Sequence, residues 1–193
     1  MADQPSYLGL LNDIVAAESR AHRYLEAWAD ATPDPVLEAR LRTVALREGE
    51  HGRTFARRIN ELGFEVDPAD EAAVAWRVEI AGSARPDHEK AEQLGVLSVS
   101  GTEKALRLFD NVFSDHSIDI RTGELLGRFI AEEHDTVRLL HDCYQVLRDR
   151  LAAHPPGPAD DLGRLEAKLD ALGRAVEDLR QVVCAQGAPV SAR

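Results

Sequence analysis

Four glutamates stand in the middle of apolar stripes whose spacing of three and four residues is typical of core-facing helices. They are Glu18, Glu48, Glu103 and Glu133, and each has apolar residues above and below it on its stripe. A buried ion destabilises a fold unless it is compensated, and four carboxylates in one layer repel one another. Two divalent cations would balance the four charges, and oxygen and nitrogen ligands without thiolate suit iron, manganese or zinc. The sequence therefore predicts a metal site in a helical core.

Two histidines lie on the same stripes as these acids. His51 follows Glu48 by three residues, so both side chains lie on one face of a helix and can share a metal. His22 follows Glu18 by four residues. We interpret His22 as a hydrogen-bond partner of a ligand, and a direct ligand or an ordinary core histidine are the alternatives.

The acids recur at a constant offset along the chain. Glu103 follows Glu18 by 85 residues, and Glu133 follows Glu48 by the same 85 residues. Apolar positions around them match at this offset too. The first and second predicted helical hairpins therefore look like two copies of one unit.

The second copy departs from the first at one position. Thr136 stands where the offset would place the counterpart of His51. A register shifted by one residue would use Glu132 with Asp135, so that a carboxylate replaces the imidazole. The stripe and the repeat favour Glu133, whereas the lack of a ligand at Thr136 favours the shifted pair. In either register the second half of the site is poorer in nitrogen.

The elements that must position these residues are predicted to be helices, because strand signals are almost absent and breaks rich in Pro, Gly and Asp separate long amphipathic segments. Four long helical segments are predicted, with a short loop within the first pair, a short loop within the second pair and a long connection between the pairs. This pattern predicts an all-α fold, a four-helix bundle with one crossover. The predicted segments are helix A at 6–30 with Ser6 as its N-cap, helix B from Pro35 to a C-cap at Gly63, a short helix at 69–80, helix C at 87–115 and helix D at 122–152.

A proline-rich linker separates the bundle from a last apolar helix. The predicted organisation is a bundle at 6–152, a linker at 153–159, a heptad helix E at 160–187 and a flexible tail at 188–193. The narrow heptad seam of helix E can pack on its own bundle or pair with a second chain. Pairing is slightly favoured, so we expect a homodimer formed through helix E, the bundle or both.

These residues resemble the ferritin-like superfamily, and within it the rubrerythrin-type carboxylate-bridged di-iron proteins. That family carries Glu on its first and third helices and Glu-x-x-His on its second and fourth. The resemblance spans residues 6–152 and includes the segment 46–55. The matching residues are Glu18, Glu48-Gly49-Glu50-His51, Glu103 and Glu133.

The resemblance implies a ferritin-like bundle that binds two metal ions, iron in the first place and manganese in the second. Glu48 and Glu133 would bridge the ions. Glu18 and His51 would complete one side of the centre, and Glu103 the other. The implied activity is ferroxidase activity or reduction of dioxygen or peroxide. No rubredoxin-like module is encoded, because the two cysteines form no CxxC pair, so an external electron donor or ferrous iron itself would supply electrons.

Composition excludes several other functions. A formal net charge of −11 argues against non-specific nucleic-acid binding, which needs basic surface. No apolar run approaches the roughly 20 residues of a membrane span. No signal peptide is evident, so a cytoplasmic location is expected. Whether the protein is an enzyme stays open, because the alternative is a non-catalytic helical interaction or scaffold module with a degenerate metal site, dimerising through helix E.

Overall fold

The computed structural model describes residues 4–97 and 114–155. Within those ranges every regular element is a helix and no strand is present, which confirms the all-α prediction. No helix there is long and apolar enough to cross a membrane. In chain order the helices are α1 at Leu8–Ala31, α2 at Pro35–Glu61, α3 at Glu71–Ala81, α4 at Asp87–Gln93 and α5 at Ile120–Ala153.

The chain divides into two compact units, Met1–Arg150 and Leu151–Arg193. Of the second unit only 151–155 is described, where α5 ends. Helix E at 160–187 and the tail at 188–193 lie outside the described residues, as does most of the linker at 153–159. The site and its surroundings belong to the first unit.

The ends of α2 follow from its capping residues. The Asp34 carboxylate accepts hydrogen bonds from the backbone N–H groups of Val36 and Leu37 at 3.0 and 3.2 Å. Pro35 occupies the first helical position, where its missing N–H costs nothing. Gly63, just past the helix, has a φ of 87°, a conformation that favours glycine. The predicted limits of helix B are confirmed.

The predicted N-cap of the first helix is wrong. Tyr7 precedes α1 and makes no capping bond through its side chain. The Ser6 hydroxyl instead donates to Asp115 and lies 2.9 Å from the Ser117 hydroxyl. The Ser6 hydroxyl, which the sequence pattern assigned to the start of the helix, thus bonds residues more than 100 positions away in the sequence.

Predicted helix C, at 87–115, is not continuous. α4 ends after seven residues, and Gly95 follows with a φ of 73°. The Val96 N–H donates to the Ala91 carbonyl at 3.1 Å, which is the long bond of a Schellman cap. The apolar stripe runs through this position, but a glycine in the left-handed conformation closes the helix. Glu103 lies outside the described residues.

Two apolar clusters fill the core of the first unit, and α1, α2 and α5 each contribute to both. One cluster contains Leu11, Phe55 and Leu126, and the other contains Trp28 and Leu140. The middle of each of these helices lies between the clusters. Polar side chains there are enclosed on two sides, so their charges need partners inside the protein.

Asp119 fixes the start of α5. One carboxylate oxygen accepts the Thr122 N–H at 3.1 Å, and the other accepts hydrogen bonds from Thr122 Oγ1 at 2.6 Å, Arg58 at 2.8 Å and the Tyr7 hydroxyl at 2.9 Å. Partial burial raises the pKa of Asp119, but these hydrogen bonds outweigh it and hold the pKa well below its ordinary value. The carboxylate thereby ties α5 to α2 and to the segment before α1.

Replacing Asp119 with alanine removes this cap and one partner of Arg58. We expect the free energy of unfolding at pH 7 to fall by about 2 kcal/mol. The folded-state pKa lies below the unfolded value of about 3.9, so the ionic contribution is complete above that value and is lost as the pH falls towards the folded one. Urea unfolding at pH 7 and pH 3 should show a smaller difference between wild type and variant at pH 3. Asp142→Ala, exposed on the same helix, is the control, and an equal difference at both pH values would contradict this account.

Candidate metal centre

Two glycines let α2 approach α1 closely at the level of the acids. A β-carbon at position 52 would lie 3.0 Å from Ser19 Oγ and 3.4 Å from the Ser19 backbone nitrogen. A β-carbon at position 49 would lie 2.9 Å from His22 Nδ1. The distances to Ser19 Oγ and to His22 Nδ1 are shorter than ordinary van der Waals contact, so the close packing of α1 and α2 depends on Gly49 and Gly52.

Four side chains from three helices converge in the layer between the apolar clusters. One ligand atom from each lies within 4.8 Å of the corresponding atom of every other. His51 Nδ1 lies 3.3 Å from Glu18 Oε2 and 3.6 Å from Glu133 Oε1. Because metal–ligand bonds are about 2.0–2.5 Å long, donor atoms this close can all reach one ion. This group, called the acid cluster below, consists of Glu18, Glu48, His51 and Glu133.

The acid cluster contains two buried oxygens that accept no hydrogen bond from the described residues. Glu48 Oε1 and Glu133 Oε1 have no hydrogen-bond partner among the described residues. Burial raises the pKa of Glu48 to about 9, helped by a hydrogen bond and charge repulsion from Glu18. Burial likewise raises the pKa of Glu18 and of Glu133 to about 7 each. Burial therefore favours the protonated form of each of these carboxylates, and a cation would satisfy the same oxygens.

The other nitrogen of His51 is held from α5. His51 Nε2 lies 2.6 Å from Glu132 Oε2, and the Phe129 ring packs edge-on against the imidazole at 5.0 Å. With the proton on Nε2, the imidazole donates to Glu132 and turns the Nδ1 lone pair towards Glu18 and Glu133. Partial burial raises the pKa of Glu132, but the hydrogen bond from His51 and one from Arg128 outweigh it and lower the pKa. Glu132 therefore acts as a charged acceptor that orients the imidazole.

The residues of the two registers predicted for α5, Glu133 in one and Glu132 with Asp135 in the other, have different places in the structure. Glu133 joins the acid cluster, whereas Glu132 contacts the far side of His51. Asp135 does not reach the cluster, because it pairs with Arg47 at 3.0 Å and with Arg138 at 3.2 Å. The two arginines therefore neutralise the charge of Asp135, and it is not a ligand in the acid cluster.

His22 is placed outside the acid cluster. Its Nδ1 lies 2.7 Å from the Ala45 carbonyl oxygen, to which it donates, and its Nε2 lies 3.8 Å from Glu26. This histidine joins α1 to α2 beside Gly49. It is neither among the clustered ligand atoms nor bonded to one of them in the described structure.

Arg47 was missed by the sequence reasoning, although it neighbours Glu48 in the chain. Its guanidinium donates to Thr136 Oγ1 at 3.0 Å and to the Glu132 backbone carbonyl at 3.1 Å, in addition to its ion pair with Asp135. The sequence did contain a sign of this role: Arg47 directly precedes the predicted ligand Glu48, and Thr136 stands where a histidine was expected. The structure therefore places the Arg47 guanidinium, a fixed positive charge, beside Thr136, where the internal repeat predicts an imidazole.

The closeness of α1 and α2 can be tested with one added methyl group. We expect Gly52→Ala to lower the free energy of unfolding by about 1–3 kcal/mol, because the added carbon would crowd Ser19 Oγ on α1 and the two helices would have to adjust. Gly9→Ala on α1 is the matched control, since nothing lies within 4 Å of its added carbon and alanine favours helix by up to about 1 kcal/mol. Chemical denaturation measures both variants. Equal stability of the two would show that the contact does not constrain the site.

Three carboxylates and one imidazole nitrogen, without thiolate, form a donor set suited to a divalent transition metal. The fit rests on the two unpartnered oxygens, on the orientation of His51 by Glu132, and on the enclosure of the layer by apolar side chains. The chain matches no protein-family model, no curated protein and no solved structure.

Proposed function

We propose that this protein binds a redox-active divalent metal, iron in the first place and manganese in the second, in the acid cluster. The observation that carries the proposal is that, among the described residues, buried Glu48 Oε1 and Glu133 Oε1 have no hydrogen-bond partner and lie close to His51. A buried carboxylate oxygen without a partner is costly to keep. Retaining two of them next to a correctly oriented imidazole is explained by a cation that they bind.

The residues of the chain would divide the work as follows. Glu18, Glu48 and Glu133 would supply oxygen ligands, and His51 would supply Nδ1. Glu132 keeps the proton of His51 on Nε2, which leaves Nδ1 free to bind. The carboxylic protons of the acid cluster would leave as the metal enters, so metal uptake releases protons to solvent.

A bound iron or manganese ion would supply the electron-transfer chemistry with dioxygen or peroxide. The protein would exclude bulk water with the apolar clusters above and below the layer. Carboxylate ligands favour the oxidised metal, because their negative charge compensates the added positive charge. Electrons would come from ferrous iron as substrate or from an external donor, since no CxxC pair is encoded.

The ferritin-like architecture belongs to this proposal. α1, α2 and α5 correspond to predicted helices A, B and D, and each carries its acid at mid-height between the apolar clusters. Glu103 would be a further ligand on predicted helix C, which is outside the described residues. The homodimer expected from helix E stays a prediction for the same reason.

Metal binding should stabilise the folded state. At a free Mn²⁺ concentration of about 100 times Kd the gain is about 2.7 kcal/mol, or a rise in Tm of about 5–10 °C for a chain of this size. We expect this rise in the wild type and its loss in Glu48→Gln and His51→Gln. Glu50→Gln is the control, because Glu50 lies on the same helix with its side chain 61% exposed.

Glu48→Gln also separates metal binding from folding. Without metal this variant should be at least as stable as the wild type, because it replaces a buried acid with a neutral group of the same shape. No rise in the wild type, or an undiminished rise in Glu48→Gln, would remove the basis for a metal centre and favour the non-catalytic interaction module.

Redox activity is tested separately from binding. Protein loaded with ferrous iron without oxygen, then exposed to dioxygen or peroxide, should oxidise the iron faster than either Glu48→Gln or protein-free buffer. The readout is the remaining ferrous iron measured with a chelating dye. Equal rates in all three samples would leave a metal-binding protein without the proposed activity.

A further inference from the structure

The guanidinium of Arg47 lies beside the position where the internal repeat predicts the second nitrogen ligand. Thr136 is the residue at that position, and it accepts a hydrogen bond from the Arg47 guanidinium at 3.0 Å. The same guanidinium donates to the Glu132 backbone carbonyl and to Asp135. Three acceptors on α5, at positions 132, 135 and 136, thus hold one cation from α2.

The guanidinium is fixed in place and permanently charged. The Arg47 side chain is 22% exposed, and Thr136 is buried. An arginine keeps its proton at any pH a protein experiences, and its planar donors lose little freedom when several acceptors bind them. A flexible surface arginine would pair with Asp135 alone, whereas this one also binds a buried hydroxyl and a helix carbonyl.

Arg47 also acts on the ligands through its charge. Arg47 directly precedes Glu48 on α2, and its guanidinium binds Thr136, which follows Glu133 by three residues on α5. The guanidinium therefore does part of what a second metal ion would do for the same carboxylates.

We propose that the Arg47 guanidinium takes the place of a second cation, so that the centre binds one divalent ion and not two. This inference rests on the proposed function, because it concerns the number of ions in the acid cluster. The three described carboxylates and the guanidinium leave two negative charges, which a single divalent ion balances. With Glu103 as a fourth carboxylate, two divalent ions and the guanidinium would still bring five positive charges against four negative ones. A second ion would bring excess positive charge into a layer enclosed by apolar side chains.

The flanking acids do not change this balance. Glu132 is paired with Arg128 at 2.9 Å, and Asp135 is paired with Arg138 at 3.2 Å in addition to Arg47. Each of these carboxylates thus has a cation of its own on α5. The donor atoms of the acid cluster lie close enough to one another to surround a single ion.

The number of ions is measured with Mn²⁺ on the full-length protein. Equilibrium dialysis should give about one Mn²⁺ per chain at saturation, and electron paramagnetic resonance should show the six-line signal of an isolated ion. About two ions per chain with a spin-coupled signal would overturn the inference and leave the proposed function standing. No bound Mn²⁺ or Fe²⁺ would overturn the proposed function, and this inference with it.

A pair of variants tests whether Arg47 sets the number. Arg47→Gln combined with Thr136→His removes the cation and restores an imidazole, so saturation should rise from about one Mn²⁺ per chain to about two. Arg47→Lys keeps the charge and should stay at about one. Circular dichroism checks that each variant is helical. A folded double variant that still binds one ion, or a lysine variant that binds two, would show that the charge of Arg47 does not limit the site.

Discussion

Removal of three carboxylates from water is the constraint on which the rest of this structure depends. Glu18, Glu48 and Glu133 lie in a thin polar layer between two apolar clusters, and burial raises the pKa of each. The layer exists because α1 and α2 approach closely at Gly49 and Gly52. A β-carbon at either position would crowd Ser19 or His22 on α1, so this spacing of the two helices favours glycine at both.

The protein compensates this layer unequally on its two sides. On one side His51 joins the acids to Glu132, which fixes the direction of the imidazole. On the other side Arg47 is bound to Asp135 and Thr136 and supplies a permanent positive charge. Within the part of the chain that the structure describes, the buried oxygens of this layer without a hydrogen-bond partner belong to Glu48 and Glu133. This asymmetry, in a centre built from a near-symmetric sequence repeat, is the basis for the proposal that it binds one ion.

Helical periodicity was enough to place acids on a common face, because an apolar stripe with one central Glu has few ways to pack. It could not reveal Arg47, since the reach of a long side chain depends on how two helices are aligned. Nor could it locate the end of α4, because Gly95 interrupts the helix through its own conformation while the stripe continues. The role of Glu132 was equally hidden, for it depends on which nitrogen of His51 faces α5.

The most direct test of the central claim is a crystal structure of the protein soaked with Mn²⁺, with anomalous scattering recorded for manganese. We expect one anomalous peak bonded to Glu18, Glu48, Glu133 and His51 Nδ1, at distances of about 2.0–2.3 Å. Glu132 should remain on Nε2, and Arg47 should remain on Thr136. The absence of a peak there, with the carboxylates unmoved and hydrogen-bonded to one another, would contradict it.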